Sequence, residues 1–162
     1  MTLRISADSF AKWEHHKMQV EERLKNYKKI REEFLPIIER LLTPLVKKYD
    51  PDRQMASVHL DLMFYWSSLD IQLSCFNFEK VPAKKFIDAL RQLADSTGRE
   101  VVELKFSAFY GKLPVLSCYL VPRGKPKDDP MTVYVRVFDG LAECELEYVE
   151  EKAYKIVSAC ID

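Results

Sequence analysis

The sequence predicts an α+β domain led by one long amphipathic helix. Three observations carry that expectation. Apolar residues recur in steps of three and four from Phe10 to Leu45. The period changes to two from Val58 onward. A second helical pattern, opened by Pro82 and closed by Gly98, separates a β-hairpin from a run of alternating strands. A chain of 162 residues accommodates one domain with a helical extension. The expected division is a helical arm over 1–49 and an α+β body over 50–162.

The first helix spans about Ser6 to Tyr49, with Ser6 and Asp8 as candidate N-caps. Phe10, Trp13, Val20, Leu24, Tyr27, Phe34, Ile38, Leu41 and Leu45 form a heptad-like, coiled-coil-like seam, with Lys17 and Arg31 in the same frame. Pro36 removes a backbone donor and biases Leu35 away from helix, so a kink or short break is expected there. The forward piece reads as partly exposed. The rear piece, richer in leucine and isoleucine, reads as packed on the body.

Asp50-Pro51-Asp52 is a turn signal. Val58, Leu60, Leu62 and Phe64 then alternate with His59, Asp61, Met63 and Tyr65, and Leu69, Ile71, Leu73 and Cys75 alternate with Asp70, Gln72 and Ser74. With Ser67-Ser68 between them, these runs predict a β-hairpin. One central helix follows from Pro82 to about Ser96, with Phe86, Ile87, Leu90, Leu93 and Ala94 as its buried stripe. The remainder predicts an antiparallel β-meander. Its strands carry Val102, Leu104, Phe106 and Ala108, then Val115 to Val121, then Val133, Val135 and Val137. Asp139-Gly140 is a type I′ hairpin signal. Ala142, Cys144, Leu146 and Tyr148 continue on one face, with Glu143, Glu145 and Glu147 on the other. The last stretch, Tyr154 to Ile161, reads as a strand, with a helix starting near Tyr148 as the alternative.

Composition excludes several classes. Hydrophobic residues are 48% of the chain, enough to build a core and too many for a disordered protein. The 25 basic residues balance 25 acidic ones, so the overall basic excess of a nucleic-acid-binding domain is missing, while self-repulsion is weak enough to allow association. Cys75, Cys118, Cys144 and Cys160 form no close pair and read as buried thiols of a reducing, cytoplasmic compartment. No apolar run approaches the ~20 residues of a membrane span. Neither a phosphate-binding glycine loop nor a recognised catalytic signature is present. No cofactor and no metal is expected.

Three groups of residues carry candidate chemistry. Trp13, Val20, Leu24 and Tyr27 on the helix seam, and Glu143, Glu145 and Glu147 on a strand, are candidate partner-binding positions. Lys105, Tyr110 and Lys112 around one turn, with Arg123, Lys125 and Lys127 in a loop, interleave cations and aromatics as single-stranded nucleic acid requires. His59 and Asp61 share a strand face at i,i+2 spacing and are weak catalytic candidates as a general-base pair. His15-His16, adjacent on a helix, point about 100° apart and cannot chelate one ion from one face. The first expectation is therefore a non-enzymatic interaction protein, inhibitory or regulatory, that binds a protein partner or a copy of itself. A single-stranded nucleic-acid-binding module is the alternative, and an enzyme centred on His59 and Asp61 the second alternative.

Overall fold

The computed structural model describes residues 8–52, 56–65, 68–107, 115–138, 144–150 and 153–159. It is an α+β fold. Helix α1 (Asp8–Tyr49) is followed by strands β1 (Ser57–Tyr65) and β2 (Ser68–Phe76), helix α2 (Ala83–Ser96), and strands β3 (Arg99–Ser107), β4 (Val115–Pro122), β5 (Val133–Val137), β6 (Cys144–Glu150) and β7 (Ala153–Ala159). The residues of the expected turns at Tyr110–Lys112 and Asp139–Gly140 lie outside the described residues, but the hairpin expected at Asp139–Gly140 does not form: β5 pairs with β2 and β4, whereas β6 pairs with β7 at the far edge of the sheet.

Of the kink or short break expected at Pro36, the break does not occur. α1 runs unbroken for 42 residues with Pro36 and Pro44 inside it, about 63 Å at 1.5 Å per residue. Each proline removes the hydrogen bond to the carbonyl four residues earlier, here those of Glu32 and Arg40. Pro36, Pro44, Glu32 and Arg40 are all exposed, so the freed carbonyls face water rather than a dry core. Nor is Pro36 the point where packing begins. Ile30 and Phe34 are already fully buried, and Ile38 and Leu42 continue the stripe.

The strands form one sheet in the order β1-β2-β5-β4-β3-β7-β6. The hairpin β1–β2 and the antiparallel sequence β3–β4–β5 match the expected elements. The sheet is nonetheless mixed, because β5 pairs parallel to β2, from Ile71↔Val133 to Cys75↔Val137. β2 and β3 therefore run in the same direction with β5 and β4 between them, and α2 is the crossover that joins them. The final stretch is strand, pairing β7 to β6 and, at Phe106↔Tyr154, to β3.

Core-facing positions follow the register. Leu73 and Cys75 of β2, Val133, Val135 and Val137 of β5, and Leu116, Cys118 and Leu120 of β4 are buried with Phe86, Leu90 and Leu93 of α2 and with Ile30 and Phe34 of α1. Both helices thus lie on one face of the sheet. On β3 the expected alternation of Val102, Leu104 and Phe106 is corrected by a bulge between Val102 and Lys105. Glu103 takes φ +53° there, so Val101 joins the core with Leu104 and Phe106, while Val102 pairs with Tyr119 on the other face. Gly98 adopts φ +67° just past the end of α2, as a C-cap glycine does.

One buried ion knits the two layers together. Arg99 is only 3% exposed. Its guanidinium donates to the Met131 carbonyl from Nε (3.1 Å) and Nη2 (3.0 Å) and to the Thr97 carbonyl from Nη1 (3.0 Å). It lies 4.9 Å from the Phe34 ring centroid and 3.7 Å from the Glu33 carboxylate. Burial lowers its pKa, and Glu33 partly offsets that.

Burial also raises the pKa of both core thiols, Cys118 to about 12 and Cys75 further, the neighbouring Cys118 adding to the shift on Cys75. Thiolate is the reactive form. Cys75 and Cys118 should therefore resist iodoacetamide at neutral pH in the native protein and become alkylated on denaturation. Peptide mass spectrometry reads this directly, and native-state alkylation of either residue would contradict the burial.

Candidate functional site

Two surfaces carry the candidate residues. The first is the forward end of α1. Residues 11–19 are exposed at every position, so this part of the helix projects beyond the body. Trp13 is 57% exposed, Met18 66% and Leu24 41%. Successive residues turn by about 100°, which places Trp13, Val20 and Leu24 within about 20° of a common line. That line runs into the body-packing stripe. Tyr27, half-buried, donates its hydroxyl to the Leu60 carbonyl of β1 at 2.7 Å. The Lys17 ammonium sits 5.6 Å from the Trp13 ring centroid. Arg23 donates to the Pro130 carbonyl at 2.9 Å. Between arm and body lies a cleft of about 320 Å³ lined by His16, Val20, Arg23, Leu69 and Pro130. Of the expected partner-binding set, Tyr27 is thus occupied by its own body, Val20 borders the cleft against it, and Trp13 and Leu24 are exposed. Glu145 and Glu147 lie on β6, an edge strand of the sheet, and Glu143 lies outside the described residues.

The second surface is the face of the sheet opposite the helices. Register aligns Asp61, Gln72, Tyr134, Tyr119 and Val102 in one row across five strands, and His59, Ser74, Arg136, Ser117 and Lys105 in the next. Gln72, Ser74 and Ser117 in the middle of these rows are buried, and the more exposed residues around them are mostly aromatic or charged. The Tyr119 and Tyr134 ring centroids are 4.8 Å apart, and Phe76 and Phe138 stack at 4.8 Å with 4° between their planes. The Arg136 guanidinium lies 4.9 Å from the Phe138 centroid. Burial, reinforced by Tyr134, raises the Tyr119 pKa.

His59 and Asp61 do share this face with Asp70, Gln72 and Ser74, as their spacing predicts. Gln72 Nε2 donates to Ser74 Oγ at 3.0 Å, and His59 meets Phe76 edge-on at 5.7 Å. Both His59 and Asp61 are exposed, and neither lines any of the grooves described here. Among the described residues, no group of three or more His, Cys, Asp or Glu is placed to hold a metal ion.

The residues of the nucleic-acid alternative separate. Tyr110 and Lys112 lie outside the described residues. Lys105 is exposed on β3. In the β4–β5 loop, Arg123 is paired with Asp95, Lys125 is exposed, and Lys127 is bound by the Glu103 carboxylate at 3.0 Å. Lys127 also lies 4.8 Å from the Tyr119 ring centroid. It borders a groove of about 710 Å³ at the end of the sheet, which Arg23, Asp70, Tyr119, Tyr134 and Arg136 also line. Tyr119, Tyr134 and Arg136 were legible as outward positions, because they alternate with Cys118, Val133 and Val135. Their meeting across β4 and β5 was not. A third groove, about 640 Å³ and mainly apolar, runs between α1 and β1 past Leu35, Ile38, Leu42, Val58 and Phe78.

Comparison with known proteins adds no relative: no family, curated protein or solved structure matches the chain. Among the described residues, no helix is long and apolar enough to cross a membrane.

Proposed function

We infer that the chain is a non-enzymatic interaction protein, a regulatory or inhibitory accessory factor that recognises a protein partner through the forward end of α1. The observation that carries this is the continuation of the body-packing stripe toward the start of the helix, through Leu24 and the half-buried Val20 to Trp13, which lies in a stretch, residues 11–19, exposed at every position. A helix of about a dozen residues is marginal in water without packing. A partner that covers this stripe supplies the missing packing. Glu145 and Glu147 on the edge strand offer a second contact to a basic surface.

The partner's chemistry follows from the flanks of the stripe. Glu14 and Glu21 border it on one side, and His16 and Arg23 on the other. An antiparallel copy of the same arm would set glutamates against glutamates. A parallel copy would bring two bodies into one space, because Tyr27, Phe34 and Ile38 face their own body on nearly the same side. Both arrangements favour a different protein over self-association.

The test pairs Val20→Asp with Leu24→Asp in a tagged chain purified from its native cell, with a photo-crosslinking residue at position 13. The expected result is one stoichiometric protein crosslinked at position 13 and lost from the double variant, whose melting temperature stays at the wild-type value. A double variant that retains the partner would refute the assignment, as would a wild-type chain that crosslinks only to itself.

A further inference from the structure

We propose that the groove at the end of the sheet face opposite the helices binds a nucleotide unit, a planar base carrying one phosphate, and that Lys127 is the group that gives way to it. This site is separate from the forward end of α1 and stands on its own observations.

The groove, about 710 Å³, falls within the size range of small-ligand sites. Its lining combines two tyrosine rings, 4.8 Å apart, with cations from separate elements: Arg23 of α1, Arg136 of β5 and Lys127 of the β4–β5 loop. Each supplies a distinct part of nucleotide recognition. Tyrosine faces accept a base by stacking. A guanidinium presents a planar fork that matches phosphate oxygens. Asp70, in the same lining, suits the exocyclic amino group of a base, as carboxylates accept from cytosine N4.

Lys127 occupies both halves of this arrangement. Its ammonium lies over the Tyr119 ring and is bound by the two oxygens of Glu103 at 3.0 and 3.1 Å. The cation stands where a base would stack, and the carboxylate stands in for a phosphate. Both side chains are about half exposed, and an exposed ion pair of this kind is readily exchanged. A nucleotide replaces both contacts together: the base takes the Tyr119 face as the ammonium leaves it for the phosphate. Glu103 holds its position from a bulge with φ +53°, an uncommon backbone conformation for a residue with a side chain. Bulges of this type re-aim side chains beside functional sites. Asp128 and Asp129 also line the groove, so with Asp70 its carboxylates equal its three cations in number; a chain of phosphates is opposed, which is why the ligand carries one phosphate at the site.

The probes are cytidine monophosphate and a short single-stranded oligocytidine, titrated into the wild-type chain and followed by amide chemical shifts and by fluorescence anisotropy. Shifts are expected at Asp70, Tyr119 and the 127–136 segment. Tyr119→Leu, which keeps apolar bulk on the sheet, and Arg136→Met should each weaken binding about tenfold or more. Glu103→Gln removes the internal competitor and should tighten it severalfold. Equal affinity for both probes assigns the site to a mononucleotide. Much tighter, salt-sensitive binding of the oligomer assigns it to a strand, with the same base-and-phosphate chemistry. Absence of binding in both the wild type and Glu103→Gln would overturn the proposal. So would shifts confined to other surfaces, or binding unchanged by Tyr119→Leu.

Discussion

Replacing Arg99 with alanine should lower the unfolding free energy by about 3 kcal/mol, the scale reported when one partner of a buried charged network is removed. The size follows from what the guanidinium holds. It satisfies the Met131 carbonyl twice and the Thr97 carbonyl once, and it covers the Phe34 ring. Truncation leaves those carbonyls without their donor in part-buried surroundings, at roughly 1–3 kcal/mol for each group left unsatisfied. It also opens a void beside α1. Relief of the desolvation that lowers the Arg99 pKa returns part of this cost. Glu33→Gln should cost under about 1 kcal/mol, because Glu33 is 43% exposed and its pair with Arg99 is long. Urea unfolding of both variants separates the contributions. Equal losses would mean that the ion pair, rather than the carbonyl anchoring, carries the stability.

Arg99 also shows where sequence reasoning stops. An arginine next to Gly98 at the start of a strand reads as a solvated turn residue. Its burial depends on a carbonyl from Met131, 32 positions away, and no local pattern announces that approach. The parallel pairing of β2 with β5 is hidden for the same reason. Each strand shows clean alternation, but which strands become neighbours is decided by α2 crossing the sheet. The bulge at Glu103 was invisible because positive φ is signalled by glycine or asparagine, and a glutamate stands there.

Periodicity did locate much else. Phe34 and Ile38 of the α1 seam, the shared face of His59, Asp61, Gln72 and Ser74, and the glycine cap of α2 follow from spacing, whereas Ile30 and Leu42 were missed and the register was not given, because Ser68, expected in the turn, pairs with Tyr65 as the first residue of β2. The candidate site divided along the same line. Positions on one element, such as Trp13 and Val20, were legible. Positions that meet across elements, such as Lys127 over Tyr119, were not.

Deleting residues 1–19 should leave the cooperative unfolding transition in place, whereas deleting residues 1–35 should abolish it. The contrast rests on where α1 stops being solvated. Positions 11–19 are exposed throughout, and loss of exposed side chains changes stability by about 0.5 kcal/mol or less. Ile30 and Phe34 are fully buried in the cluster that includes Leu73, Phe86 and Val135. Phe34→Ala alone should cost about 3–5 kcal/mol, a large share of the roughly 5–15 kcal/mol that holds a domain together. Removing Ile30 with it, and leaving Leu73 and Val135 without their cover, exceeds what the remaining core can supply. Far-ultraviolet circular dichroism and thermal melts of the two truncations test this. If the longer deletion still melted cooperatively, the body would fold without α1, and the helix would be an appendage along its whole length. If the shorter deletion unfolded the chain, the forward end would be part of the core, and the stripe of Trp13, Val20 and Leu24 would serve the fold rather than a partner.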